Sequence, residues 1–106
     1  MALINTLMRL KDLRRVVKFE MIEREKARVE LANGKLLVVY MSDDYVIGAA
    51  SVMGAVATEP HPDYIVYNHW NKVTDDAFEE AKRLKIPLVK YGKFRYDLDD
   101  MLAVPN

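Results

Sequence analysis

The sequence predicts a single α/β domain. A helix and a three-stranded antiparallel meander come first, followed by a βαβ unit and a closing helix, all around one mixed sheet. Three observations predict it. Leu3, Leu7 and Leu10 recur at helical spacing at the start of the chain. Asn33-Gly34 lies between two apolar alternating runs, which marks a hairpin, since both central positions of a type I′ turn need positive φ. Tyr64-Ile65-Val66-Tyr67 and Ile86-Pro87-Leu88-Val89 flank a capped helix, and a strand–helix–strand of this length forms a parallel unit with a right-handed crossover.

Each element has its own warrant. In the first helix Ile4 and Met8 widen the leucine stripe and Leu13 extends it, while Arg9, Lys11, Arg14 and Arg15 make its end basic. Cations there complement the helix dipole; the sharper reading is a phosphate-contacting patch. Val17, Phe19 and Met21 alternate with Lys18 and Glu20, so Val16 to Ile22 reads as a half-buried strand. Ala27, Val29 and Leu31 alternate with Arg28 and Glu30 in the next. Lys35 to Met41 (KLLVVYM) is continuously apolar at its centre, as expected of a strand covered on both faces. Ser42-Asp43-Asp44 caps an expected helix from about Tyr45 to Ala57, and a fourth strand is the competing reading of that segment. Its small apolar surface suits packing within the chain or, more sharply, a homodimer face.

Thr74 is the N-cap of the next helix, with Asp75 and Asp76 at the positive end of its dipole and Val73 and Phe78 at the staple positions. Ala77, Phe78, Ala81 and Leu84 form its apolar stripe. Pro87 cannot donate to a ladder and belongs at a strand start or an edge. Gly92 permits a turn, after which Phe94, Leu98, Met101 and Leu102 line one face of the last helix.

Composition bounds the function. With 51% hydrophobic and 30% charged residues the chain folds rather than remaining disordered. Its 106 residues suit one domain with one modest core. Sixteen Lys+Arg balance sixteen Asp+Glu, so any nucleic-acid binding needs a local basic patch. The absence of Cys excludes disulfides, thiolate metal sites and a Cys nucleophile. No signal peptide is read, and the weakly polar run Tyr45 to Ala57 falls short of the ~20 residues that span a bilayer. A cytoplasmic protein without membrane contact is the expectation.

The order helix, three strands, helix, strand, helix, strand, helix resembles the restriction-endonuclease-like superfamily, the PD-(D/E)xK nucleases. The second half is similar in residue character to the end of Mrr-like catalytic domains: YIVYNHW, TDDAFEEAKRL, IPLVKYG and FRYDLDDML stand where those have a strand ending in a polar loop, a helix with spaced alanines, a short strand, then Gly and a final helix. The resemblance implies a metal site built from an acid and a Lys two residues apart on the strand after the hairpin, completed by an acid on the preceding strand. In that register Tyr40 and Ser42 stand where the acid and Lys are expected, and Arg28 lies near the third position. No carboxylate there can hold Mg²⁺. Glu30, Asp43 and Asp44 are the candidates for a relocated site, which alone would call for Mg²⁺.

Loops after parallel strands are the usual ligand edge of an α/β sheet. Asn68, His69, Trp70 and Asn71 fall there, with Lys93 and Arg95 after the second strand of the βαβ unit. A Trp that can stack, two amides and a His make a candidate binding set; the competing reading packs Trp70 under the helix and gives the amides to turn backbone. His61 and His69 lack the spacing of a zinc pair. The sequence thus points to a catalytically silent nuclease-like domain that binds or assembles, with DNA or RNA as candidate ligand. The alternatives are a metal-dependent nuclease with a relocated acidic site and a protein-interaction module without a nucleic-acid role.

Overall fold

A computed structural model of the chain describes residues 2–103. Its elements are α1 (Ala2–Asp12), β1 (Val16–Glu23), β2 (Lys26–Leu31), β3 (Leu36–Tyr40), β4 (Val46–Ile47), α2 (Ala49–Ala55), β5 (Tyr64–Tyr67), β6 (Lys72–Val73), α3 (Asp75–Leu84), β7 (Leu88–Lys90) and α4 (Tyr91–Ala103). Five strands make one mixed sheet in the order β1-β2-β3-β5-β7. The first three are antiparallel neighbours, and β3, β5 and β7 run parallel. The third strand pairs in parallel with Tyr64–Tyr67, through Val39–Tyr64 and Tyr40–Ile65. No helix among the described residues is long and apolar enough to cross a membrane.

Strand alternation builds two cores. Ala27, Val29, Leu31, Leu37, Val39 and Met41 face α1 and α4, whose Leu3, Leu7, Leu10, Phe94 and Leu98 are fully or almost fully buried against them. Tyr40, Ile65 and Leu88 face the other way, onto Val52 and Ala55 of α2 and Ala77 and Ala81 of α3. Small residues on both helices let them lie close to the sheet and to each other.

The helix ends are built by local chemistry. Thr74 caps α3, its hydroxyl accepting the Ala77 N–H at 3.2 Å. At the other end Lys85 takes a left-handed conformation (φ 60°, ψ 37°), and the Ile86 N–H reaches back to the Ala81 carbonyl at 3.0 Å. α1 ends in the same way: Arg14 has φ 62°, the Arg15 N–H donates to the Leu10 carbonyl and the Arg14 N–H to that of Lys11. Both are Schellman closures, each with a basic residue where glycine is usual.

Several expectations are corrected. Met8 is exposed, and Leu13 lies beyond the end of α1 at the margin of the core. Register shifts between Val16 and Lys18, so Val16 is 3% exposed and Val17 48%; a bulge turns the inward set to Val16, Phe19 and Met21. The Asn33-Gly34 hairpin is present, but not as a type I′ turn. Gly34 alone takes positive φ (88°), its N–H donates to the Leu31 carbonyl, and the loop is Ala32-Asn33-Gly34. That is the three-residue hairpin with glycine at the left-handed position. Asn33 then bridges to α4, its side-chain amide donating to the Met101 carbonyl at 3.0 Å.

The third strand is covered on both faces only in its second half, since Leu36 is 70% exposed. The helix expected over Tyr45 to Ala57 shrinks to α2, seven residues capped at Gly48, because Val46 and Ile47 instead pair in parallel with Lys72 and Val73. Ile47, Val52 and Ala55 are buried within the chain, leaving Tyr45, Val46 and Met53 as the large exposed apolar members of that segment. Phe78 of the expected stripe is also exposed, but its ring meets Tyr67 edge-on with centroids 6.2 Å apart. Gly92 makes no separate turn; it lies in the first turn of α4.

Candidate functional site

The parallel strands β3, β5 and β7 end at one edge of the sheet. Because β2 is antiparallel to β3, its start lies there too, as does the β1–β2 turn. Arg24 and Glu25 therefore meet the residues that follow Tyr40, and Glu23 and Lys26 meet Thr58.

Lys26, not Arg28, is the residue opposite Tyr40. Arg28 pairs with Val38, one pleat repeat back along the strand, and its guanidinium lies 3.8 Å from Glu20. Lys26 is fully buried, and its Nζ donates to the Thr58 carbonyl at 2.8 Å and to the Thr58 hydroxyl at 3.2 Å. That hydroxyl donates onward to Glu23 at 3.0 Å. A lysine head needs acceptors for its protons, and here neutral oxygens supply them.

Tyr40 is also buried, and its hydroxyl donates to Glu25 Oε1 at 3.1 Å. Burial, then the charge of Glu25 and its hydrogen bond, push the phenol well above its usual pKa, with Glu23 and Asp44 adding to the effect. The other Glu25 oxygen accepts the Asp43 N–H at 2.6 Å. Ser42 is buried and its hydroxyl accepts the Asp44 N–H at 3.1 Å, closing the turn after β3. Asp43 accepts from the Ala2 N–H at 2.8 Å and from Arg24 Nε at 2.6 Å. The Ala2 hydrogen bond first, and Arg24 with it, hold its carboxyl below the usual carboxylate range.

The relocated acidic set does not assemble. Glu30 pairs with Leu36 at the start of β3 and lies 3.7 Å from Lys18, whereas Asp43 and Asp44 follow the end of that strand. The five residue steps from Leu36 to Met41 separate them by about 17 Å at the usual rise per strand residue. Among the described residues no group of three or more His, Cys, Asp or Glu side chains is placed to hold a metal ion.

The loop after β5 divides its residues between two tasks. Asn71 Oδ1 accepts the Asn68 N–H at 2.8 Å, and its Nδ2 donates to the Asp44 carbonyl at 2.8 Å. Asn68 reaches the Met41 sulfur at 3.8 Å. Asn71 thus satisfies turn backbone, and both side-chain amides tie this loop to the end of β3 and the loop after it. His69 and Trp70 remain in solvent, Trp70 with 45% of its surface exposed. The Lys72 N–H donates to the Tyr45 carbonyl at 2.9 Å, which brings the exposed Tyr45 to the same pair of loops. Lys93 and Arg95 sit on α4, across the sheet from β6. Lys93 is held by Asp97 at 2.7 Å, and that hydrogen bond raises its pKa.

The basic residues are only partly neutralised from within. Arg15 pairs with Asp99 at 2.7 Å, Lys18 with Glu30 and Lys93 with Asp97. Among the described residues Arg9 and Lys11 of α1, Arg14 after it, Lys90 of β7 and Arg95 of α4 carry no ion pair. The residues missed by reading the sequence are Glu23, Glu25, Lys26 and Thr58. The signal for Lys26 was its place two residues before Arg28 on the same strand face; for Thr58 there was none.

No family model, curated protein or solved structure matches this chain at a significant level. Its own atoms carry the functional reading.

Proposed function

We propose that this chain is a restriction-endonuclease-like domain without metal-dependent cleavage, acting as a binding or assembly module. The observation that carries this reading is the Lys26–Tyr40 pair. It fills the sheet edge where such a nuclease would gather carboxylates around Mg²⁺. A buried lysine head and a phenol held in its neutral form supply no anionic ligand, and the lysine repels a divalent cation. The nearest acids are engaged: Glu25 by Tyr40 and the Asp43 N–H, Asp43 by Arg24 and the Ala2 N–H.

The ligand edge on this reading is formed by Tyr45, His69 and Trp70. Arg14, Lys90 and Arg95, free of ion pairs among the described residues, support nucleic acid as a ligand; the internal pairing of Arg15, Lys18 and Lys93 favours a protein surface. Trp70 is the only tryptophan, so its fluorescence reports on this edge alone. The test combines two measurements. Plasmid and branched DNA incubated with Mg²⁺ or Mn²⁺ should remain intact. Cleavage that disappears in the Asp43→Ala/Asp44→Ala protein would establish the nuclease alternative instead. Titration with single- and double-stranded oligonucleotides at low salt then separates the ligand classes. A Trp70 fluorescence change that vanishes with added salt indicates nucleic acid, and no change favours a protein partner.

A further inference from the structure

The sheet face turned away from α1 and α4 is only half covered. α2 and α3 lie over the end of β3 and over β5 and β7, through Tyr40, Ile65 and Leu88. The rest of that face, made by β1, β2 and the start of β3, is a groove of about 640 Å³. Four charged residues stand on it. Lys18 and Glu20 are two apart on β1, and Glu30 and Arg28 are two apart on β2. The register sets Lys18 opposite Glu30 and Glu20 opposite Arg28, and the pairs close to 3.7 and 3.8 Å. The signs therefore alternate along each strand and across the ladder, a two-by-two checkerboard. Leu36 and Val38 border it on β3, and Leu36 is far more exposed than a strand leucine in a finished core.

A checkerboard of this kind is complementary to itself. Let a second copy face it across a two-fold axis lying between the two sheets. With the axis along the strands, Lys18 meets Glu30 of the second copy and Glu20 meets its Arg28. With the axis across the strands, Lys18 meets Glu20 of the second copy and Arg28 meets its Glu30. Opposite charges meet at all four positions in both cases, which is the condition an isologous interface must satisfy. The aliphatic stems of Lys18 and Arg28, with Leu36 and Val38, supply apolar area to bury. The four charges sum to zero and Asp63 adds an anion to the rim, so this face has no attraction for phosphates.

We propose that this open sheet face is an interface whose occupant is a second copy of the chain, packed sheet to sheet. This names a partner for the assembly role proposed above. It uses none of the residues of the ligand edge, so cleavage and oligonucleotide results bear on that edge alone, and the state of association bears on this face alone.

Two charge variants of the full chain test it by analytical ultracentrifugation. Lys18→Glu/Arg28→Glu makes the checkerboard wholly acidic, and Glu20→Lys/Glu30→Lys makes it wholly basic. The natural chain should dimerise as concentration rises. Each variant alone should dimerise more weakly by at least about tenfold, and an equimolar mixture of the two should dimerise again. The fourfold inversion Lys18→Glu/Glu20→Lys/Arg28→Glu/Glu30→Lys keeps every pair within the chain and thus the stability of the sheet. It should pair with itself and not with the natural chain, because like charges meet at all four positions. A natural chain that stays monomeric at high concentration overturns the proposal. So do acidic or basic variants that dimerise as the natural chain does, or an inverted variant that pairs with the natural chain as readily as with itself.

Discussion

Lys26 and Tyr40 face each other across the β2–β3 ladder, and each gives its polar end to a different segment. Lys26 holds Thr58, in the connection between α2 and β5, while Tyr40 holds Glu25, in the β1–β2 turn. Two adjacent side chains thereby anchor two loops at the edge where the parallel strands end.

Replacement of Lys26 should separate shape from hydrogen bonding. Lys26→Ala leaves a cavity at a fully buried position and should lower stability by about 2–4 kcal/mol. Lys26→Met keeps most of the volume and removes a buried polar head, and should stay within about 1 kcal/mol of the parent. Urea unfolding of both proteins gives the two values. Equal losses would show that the bonds to Thr58 outweigh the desolvation of the lysine head.

Tyr40 should make the fold sensitive to alkali. Its folded pKa lies above the ordinary value of about 10, so above that pH the unfolded chain binds fewer protons than the folded one. The stabilisation is fully present below pH ~10 and is lost as pH rises towards the folded pKa. Tyr40→Phe should cost about 0.5–1.5 kcal/mol near neutrality and flatten this alkaline loss. Urea midpoints of both proteins measured across the alkaline range should converge as pH rises.

Asp43 should act in the opposite range. Its folded pKa is lowered by the Ala2 N–H and by Arg24, so the unfolded chain binds more protons at acid pH. The stabilisation is present above the ordinary carboxylate pKa of about 3.9 and is lost as pH falls through the lower folded value. The parent should exceed Asp43→Asn in stability near neutrality, and the gap should close on acidification, as followed by thermal unfolding.

Arg14 and Lys85 hold left-handed backbone that glycine adopts without strain. Arg14→Gly and Lys85→Gly should each raise stability by about 0.5–1 kcal/mol, the relief of left-handed strain being partly offset by the freer unfolded chain. Calorimetric melting of the single and double variants should show increments that add, because the sites close separate helices.

Tyr91 carries the one buried side-chain polar atom without a hydrogen-bond partner among the described residues, its hydroxyl. Tyr91→Phe removes that liability and should raise stability by about 1 kcal/mol. A loss of stability on chemical unfolding would mean that the hydroxyl is satisfied in solution, for instance by water.

Periodicity and capping signals were readable along the chain. Leu3, Leu7 and Leu10 specify α1, Thr74 with its following acids specifies the start of α3, and Tyr64–Tyr67 coincides with β5, because each signal lies within a few consecutive residues. The meeting of the loops after β3 and β5 was legible for a related reason: strand order and direction place the ends of those strands together whatever side chains they carry. The rest depends on contacts between segments distant in the chain. Val16 rather than Val17 turns inward because a bulge shifts the register against β2. The segment after β3 divides into β4 and α2 because Val46 and Ile47 find partners in Lys72 and Val73, distant in the chain. Lys26 is buried rather than solvated because Thr58, thirty-two residues away, brings it two acceptors. A buried polar group is tolerated only where partners meet it, and partners that far apart in the chain leave no local pattern to read.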